Sequence, residues 1–407
     1  MRTDPDVIIV GGGPCGSFTA LNLAKRGANV TVLEEHSEIG IPCHCPGHLS
    51  IKGLKNLGLY PLPEGIVENT FRGVSFHSPT GRRFDVVFAS PVTCTVDRAL
   101  FDKHVARLAE AAGADFNMNS RVESLIIREG TIKGALIKQK NGIEEVTARI
   151  VVDAEGVFSR LLRQTQLTPL RRDWVVNGVT AEVDHAQDLE LDKVEVFLGT
   201  EYAPGFYAWL IPKGNGQAKV GLATRKGSPK ILLQKLIKKH PSASKHLRSA
   251  RILHTAFRPI TLGGPIPRAF SDGFLAVGDA ASQVKPTTGG GVVLGLTCAS
   301  LAAKTAHEAL CENNCSAEFF SVYQRRCEEA LDFDVRAMLR MRIMLNAISD
   351  KQIDAALGFC EKFGLEKVLR KVEDIDRQGR SLLRVLGRPR TLTALGYFFY
   401  LYLVANP

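Results

Sequence analysis

The first 34 residues constrain this chain more than any other stretch. Asp6-Val7-Ile8-Ile9-Val10 is short, apolar and rich in β-branched residues, the pattern of a buried strand. It runs into Gly11-Gly12-Gly13-Pro14-Cys15-Gly16, which fits G-x-G-x-x-G. Ser17 to Arg26 then reads as a helix, with Phe18, Ala20, Leu21, Leu23 and Ala24 apolar or small. Gly27 ends it, Ala28 to Leu33 forms a second strand, and Glu34 stands at that strand's end. Each part has a physical task. Gly11 permits the tight turn, Gly13 lets the backbone approach a pyrophosphate, and Gly16 lets helix and strand pack closely. Phosphates are favoured at the helix N-terminus by its unpaired N–H groups and its dipole. Glu34 lies where an acid accepts hydrogen bonds from ribose hydroxyls, which suits FAD or NAD rather than NADP. A bare strand–helix turn without ligand would leave that acid unexplained.

The chain of 407 residues is too long for one simple core, and two or three domains are expected. Its 45% hydrophobic and 23% charged content is that of a soluble globular protein. A core strand begins within a few residues of Met1, which predicts no secretory leader. No apolar run reaches the roughly 18 to 20 residues needed to cross a bilayer. Lys and Arg outnumber Asp and Glu, 52 to 42, for a net charge of +10. That excess is either a solvated basic surface or a means of attracting anionic lipid head groups or an acidic electron carrier. No nucleic-acid motif accompanies it, so nucleic acid is not expected as a partner. The nine cysteines are odd in number and irregularly spaced, which predicts reduced thiols in a cytoplasmic protein, with peripheral membrane contact as a further expectation.

After Glu34, residues 37–48 combine two prolines, two glycines, two cysteines and two histidines, and read as a loop with its own chemistry. Cys43-His44-Cys45 lacks the spacing of structural zinc sites, so no metal is expected, and a thiol near a redox centre is the sharper reading. Phe71 to Phe88 alternates around Pro79-Thr80-Gly81 and predicts a hairpin. Arg98 opens a helix over 99–112 and reads equally as a surface ion pair or a cofactor contact. Residues 121–127, 132–138 and 144–148 predict a small meander, and 149–156 a strand ending in Glu155-Gly156. Strands follow at 174–183, 193–198, 206–212 and 218–223, and a basic helix at 231–240. On the third of these strands Tyr207, Trp209 and Ile211 share a face. They are either core or an aromatic wall for a long apolar ligand.

A second strand–loop–helix unit follows. Gly273 to Val277 is a strand, Gly278-Asp279-Ala280-Ala281 a turn, and Pro286-Thr287-Thr288-Gly289-Gly290-Gly291 the entry to a long helix through Val292. Asp279 is suited to a ribityl hydroxyl, and the glycine-rich helix start to a pyrophosphate or a reduced flavin. FAD is long enough to use both units. Residues 317–390 read as helical. Residues 392–404 are apolar and aromatic, predicting a terminal element packed on the core or touching a lipid interface. Cys311, Cys315 and Cys327 do not reach the four cysteines usual for an iron–sulfur cluster.

With these motifs the sequence resembles the archaeal geranylgeranyl reductases (digeranylgeranylglycerophospholipid reductases), within the flavoproteins that share the para-hydroxybenzoate hydroxylase fold. The resemblance covers nearly the whole chain. Glu155-Gly156 stands where the group usually has Asp-Gly. Tyr207, Trp209 and Pro212 match the family's lipid motif, with Ile211 replacing Phe and Gly221-Leu222-Ala223 replacing a glycine pair. Cys45-Pro46-Gly47 stands for a loop beside the isoalloxazine. The resemblance implies FAD contacts at Cys15, Glu34, Cys45, Pro46, His48, Arg98, Val122, Asp279, Gly291 and Val292, beside the glycines 11, 13, 16, 289 and 290. It implies lipid contacts at Tyr207, Trp209 and Pro212. Cys45 is the candidate catalytic residue, with gating or shielding preferred over proton donation.

The expected fold is α/β: a Rossmann-like FAD-binding domain (1–72, 91–165 and 270–320), an antiparallel β-sheet substrate domain (73–90 and 166–269) and a C-terminal helical region (321–407). The expected function is FAD-dependent saturation of geranylgeranyl double bonds in membrane phospholipid precursors. Electrons would come from a ferredoxin-like carrier or NAD(P)H. A flavin monooxygenase of the same fold and a non-catalytic prenyl-lipid binding protein are the alternatives.

Overall fold

A computed structural model describes residues 4–140, 142–371, 374–386, 393, 396, 397 and 401. The chain forms two units. One comprises Met1–Cys43, Arg98–Trp174 and Thr261–Asp332; the other comprises His44–Asp97, Val175–Ile260 and Phe333–Pro407.

The first unit is built on a six-stranded sheet. Its centre is Val7–Val10, parallel to Val30–Leu33 on one side and to Ile150–Asp153 on the other. Every residue of these three strands is buried. That explains their continuous β-branched and aliphatic runs, since a parallel strand covered on both faces has no polar side to alternate with. Asp115–Asn117 and Phe274–Ala276 extend the parallel sheet, and Phe270–Ser271 adds an antiparallel edge. Helix Pro14–Ala24 packs against both Arg98–Ala111 and Val292–Cys311. The meander is present as Arg121–Arg128, Thr131–Gln139 and Gly142–Thr147.

The second unit holds a seven-stranded sheet in the order Arg251–Thr261, Val175–Asp184, Gln217–Thr224, Ala208–Gly214, Lys193–Phe197, Gly73–His77, Arg83–Val87. The hairpin around Pro79-Thr80-Gly81 forms its far edge. One pairing departs from the expected antiparallel pattern: Lys193–Phe197 runs parallel to Gly73–His77. The more than one hundred residues between those strands leave ample chain for the crossover a parallel pair needs. One sheet face carries Val179, Ala181, Ala208, Leu210, Val220 and Leu222 against Leu233 and Leu236 of the basic helix Pro229–Lys239.

The two units are divided differently from the expected domains. Residues 44–72 belong to the second unit, because His48–Ser50 and Val67–Phe71 both pair with Thr93–Val96 in a three-stranded antiparallel sheet. The helical region from Phe333 also belongs there: Leu357 and Cys360 of helix Asp350–Lys362 pack on Phe84 and Val86. Of the apolar 392–404 stretch, most lies outside the described residues. Tyr397 stacks on Phe359 at 4.1 Å. No helix among the described residues is long and apolar enough to cross a membrane.

Candidate functional site

In the first unit the glycine loop is made almost entirely by backbone. Gly11 has φ +100°, and its N–H donates to the Leu33 carbonyl at 2.9 Å. A Cβ there would stand 2.6 Å from the Ala154 carbonyl oxygen, and one at Gly16 would collide with the Gly11 carbonyl. At Gly13 no atom lies within 4 Å of where a Cβ would be, so the loop presents open backbone at that point. Pro14 begins the helix, the position where a missing N–H costs nothing. Glu34 is buried, and its Oε2 accepts from the Gly12 N–H at 2.7 Å while Oε1 accepts from the His36 N–H at 3.0 Å. The acid therefore ties the end of its strand to the loop.

The second motif comes to the same helix. Gly278, at φ +66°, donates to Gln283 Oε1 at 2.7 Å, and Gln283 in turn donates to the Tyr323 hydroxyl. The Cys15 side chain fills the space left by two glycines: a Cβ at Gly278 would stand 2.8 Å and one at Gly295 2.6 Å from its sulfur. Burial, reinforced by the Asp279 carboxylate, pushes the Cys15 thiol well above its ordinary range, so it remains a neutral packing group. Asp279 reaches the start of helix Val292–Cys311, where a Cβ at Gly291 would stand 2.8 Å from its Oδ1. Gly289 has φ +68° and donates to the Lys285 carbonyl. Gly290 leaves room for the Lys285 stem, and Val292 is the first helical residue. Arg98 is buried and forked onto Asp102 at 3.0 Å, one helical turn on. Val122 is buried on the meander.

Sequence reasoning missed Asp153. It ends the strand beside Val7–Val10, is fully buried, and its Oδ2 has no partner among the described residues. Burial, with Glu155 nearby, pushes its carboxyl well above the ordinary carboxylate range. Oδ1 accepts from the Glu155 N–H at 3.0 Å. Glu155 is committed to structure, accepting from the Leu161 N–H at 2.6 Å. The available signal was an acid at the C-terminal end of a parallel strand.

In the second unit Trp209 and Ile211 lie on the sheet face opposite the helix-packed core, and Tyr207 just precedes the strand. Trp209 pairs across the sheet with Gly221, and its indole occupies the space over that glycine. Its buried Nε1–H has no partner among the described residues. Tyr207 stands edge-on to Trp209 at 5.9 Å and stacks on Phe206, over which the Arg342 guanidinium lies at 4.7 Å. Desolvation pushes the Tyr207 hydroxyl up to about 12, so it stays neutral. The Pro212 carbonyl accepts from Asn69 at 3.0 Å.

Ile211 faces Lys219, and Lys219 was not foreseen. It is 4% exposed, meets Glu68 Oε2 at 2.5 Å, and donates to the Pro46 and Val96 carbonyls at 3.1 Å each. A buried ammonium thus anchors the Cys45-Pro46-Gly47 loop. The Gly47 N–H meets the Cys45 sulfur at 3.5 Å, and His48 Nε2 meets Thr93 Oγ1 at 2.8 Å. Among the described residues no cluster of His, Cys, Asp or Glu is placed to hold a metal.

The FAD binding domain family matches residues 4–329. A digeranylgeranylglycerophospholipid reductase of Methanopyrus kandleri is 32% identical over 90% of this chain and 92% of its own. One of Methanothermobacter thermautotrophicus is 33% identical over 94% of this chain and 98% of its own. The chain belongs to the digeranylgeranylglycerophospholipid reductase family. A solved structure of a geranylgeranyl bacteriochlorophyll reductase-like protein from Thermoplasma acidophilum superposes with a TM-score of 0.85 at 25% identity, covering 97% of this chain and 99% of that one. A flavin-dependent brominase superposes at 0.74 with 17% identity over 98% of this chain and 99% of its own, and shares the fold. FAD is the cofactor of this family member, and the residues present suit it. The loop offers open backbone at Gly13, an acid at the strand end, and a second glycine-rich helix start carrying Asp279.

Proposed function

We propose that this chain is an FAD-dependent reductase that saturates double bonds of geranylgeranyl chains in phospholipid precursors. Near-full-length similarity to reductases named for that substrate carries the reading. The bipartite glycine architecture and the aromatic wall support it. The halogenase-like neighbour shares only the fold and does not favour oxygen chemistry.

Bound and reduced, FAD supplies hydride to one alkene carbon while the other carbon takes a proton. This chain's residues do the rest. Gly11, Gly13 and Gly16 admit the pyrophosphate to the helix N-terminus, Glu34 receives the ribose, and Asp279 with Gly289 to Val292 holds the ribityl end. Arg98 acts through its fork with Asp102, and Cys15 and Val122 line the cofactor. Tyr207, Trp209 and Pro212 receive the isoprenoid and keep water from it, as an isolated alkene requires. The flavin roles of Cys45, Pro46 and His48 rest on the family resemblance, with Cys45 shielding rather than donating. Electrons come from a carrier that the basic surface attracts, of the ferredoxin type, or from NAD(P)H. The same surface favours peripheral contact with anionic membranes.

The test is anaerobic. Dithionite-reduced protein is mixed with digeranylgeranylglyceryl phosphate and the flavin spectrum followed. Reoxidation on lipid addition supports the reading. A flavin that stays reduced until oxygen is admitted, with a hydroxylated product, would move the assignment to a monooxygenase.

A further inference from the structure

The second unit carries a concavity that the proposed chemistry does not use. It is about 230 Å³ and lies between the short helix Ile51–Asn56 and the helix Gln378–Leu386. Four of its lining residues are cations, Lys52, Arg377, Arg380 and Arg384, against one acid, Asp374. Lys52 meets Asp374 at 3.4 Å. Among the described residues the side chains of Arg377 and Arg384 have no carboxylate partner. Elsewhere on this unit Arg72 is paired with Asp192 and Arg83 with Asp85. Arg377 and Arg384 are exposed, so water satisfies them in part, and an anion in the hollow would relieve the remaining repulsion among the four cations.

The hollow is also held in place from behind. Asp334 is 1% exposed and accepts from the Arg380 backbone N–H at 2.8 Å, while Arg380 Nε stands 3.6 Å from its Oδ2. Gly379 allows the close approach: a Cβ there would stand 3.1 Å from the Asp334 Cα. Asp374 accepts from the Arg377 N–H, and the Ser381 hydroxyl donates to the Asp374 carbonyl. The arginine-bearing helix is therefore pinned at its start. Its volume falls below the roughly 300 Å³ at which pockets begin to enclose drug-sized ligands. The hollow suits a small tetrahedral oxyanion rather than a prenyl chain. Two or three guanidiniums converging on a tetrahedral oxyanion give forked, charge-assisted hydrogen bonds.

We propose that this hollow binds the phosphate of the lipid on which the enzyme acts. The inference rests on the phospholipid reading above and adds where the head group is held. In sequence, Lys52 and Asn56 follow directly on the Cys45–Ser50 segment, so one short stretch carries both the anchored loop and a wall of the hollow.

The test compares digeranylgeranylglyceryl phosphate with digeranylgeranylglycerol as substrates of the full-length flavoprotein, wild type and the double variant R377Q/R384Q. Wild type should prefer the phosphorylated lipid. The variant should shift the ratio of the two KM values about tenfold or more against it, the scale of one lost charge-assisted contact. Inorganic phosphate should raise the wild-type KM for the phosphorylated lipid alone. An unchanged ratio would overturn the proposal. So would inorganic phosphate that binds in calorimetry while neither lipid is discriminated, which would make the hollow a free-phosphate site. Equilibrium binding of both lipids, read from tryptophan fluorescence, separates the two readings. Discrimination in binding without turnover would refute the reductase and keep the hollow; turnover of both lipids with equal KM would do the reverse.

Discussion

The two units make their sites from different materials. In the first, position is set by backbone: Gly11, Gly16, Gly278 and Gly291 each stand where a side chain would strike a neighbour. In the second, it is set by buried polar side chains brought from distant strands. Lys219 with Glu68 is the case in the site, and His240, at the end of helix Pro229–Lys239, holds the Ser78 carbonyl in the same manner elsewhere in the unit. A backbone site tolerates no added atom. A side-chain site tolerates shape change but not loss of a partner, because a buried charge left alone is expensive. The difference predicts how each will fail.

The largest effect is expected at the glycines. Gly16→Val forces a side chain into the Gly11 carbonyl and should cost more than about 3 kcal/mol, yielding colourless, poorly stable protein. Gly221→Ala meets the Val179 carbonyl oxygen at 2.4 Å as well as the Trp209 indole, and should destabilise the second unit and lose lipid turnover while keeping the yellow flavin. Absorbance and turnover measured on both variants sharpen the contrast; a colourless Gly221→Ala protein would break it.

Next is the buried ion pair. Lys219→Met leaves Glu68 with Lys213, 2.8 Å away, as its remaining cation, leaves the Pro46 carbonyl with the Thr95 hydroxyl alone, and removes the Lys219 donor from the Val96 carbonyl. A loss of about 3 kcal/mol is expected, partly recovered by adding Glu68→Gln. Urea unfolding measures both. A single-variant loss below about 1 kcal/mol would show the pair to be dispensable.

The last effect is read from its pH dependence, and only part of it is expressed at any one pH. His240 Nδ1 accepts from the Ser242 and Ala243 N–H groups, and Nε2 donates to the Ser78 carbonyl, so the buried ring is neutral. Desolvation, with His77 nearby, lowers it from 6.5 to about 4. The unfolded chain therefore takes up a proton first as pH falls. The ring's contribution is whole above pH 6.5 and drains away toward pH 4, by at most about 3 kcal/mol. Stability of His240→Asn should be lower at pH 7 but flatter across this window; an equally steep fall would remove His240 as its cause.

The same contrast decides what could be read from the sequence. Glycine spacing is a local signal, so the loop at Gly11 to Gly16, the acid at Glu34 and the second glycine-rich helix start were legible, and the parallel sheet followed from them. Lys219 and Glu68 are 151 residues apart, and neither type announces a buried partner. His48–Ser50 and Thr93–Val96 are too short to show a period, so their pairing was not legible in the sequence. Arg251–Thr261 escaped notice because it is largely exposed and contains Pro259. Arg377 and Arg384 lie in a stretch that reads only as helical, and the fold sets them around one hollow.

The central claim is that this flavoprotein delivers its electrons to lipid carbon. The most direct measurement is stoichiometric: under anaerobic single turnover, the mass of digeranylgeranylglyceryl phosphate is compared with the flavin reoxidised. One hydrogen pair gained by the lipid for each flavin oxidised is the predicted result. Flavin oxidation with no gain in lipid mass, or lipid that leaves the reduced flavin untouched, would contradict it.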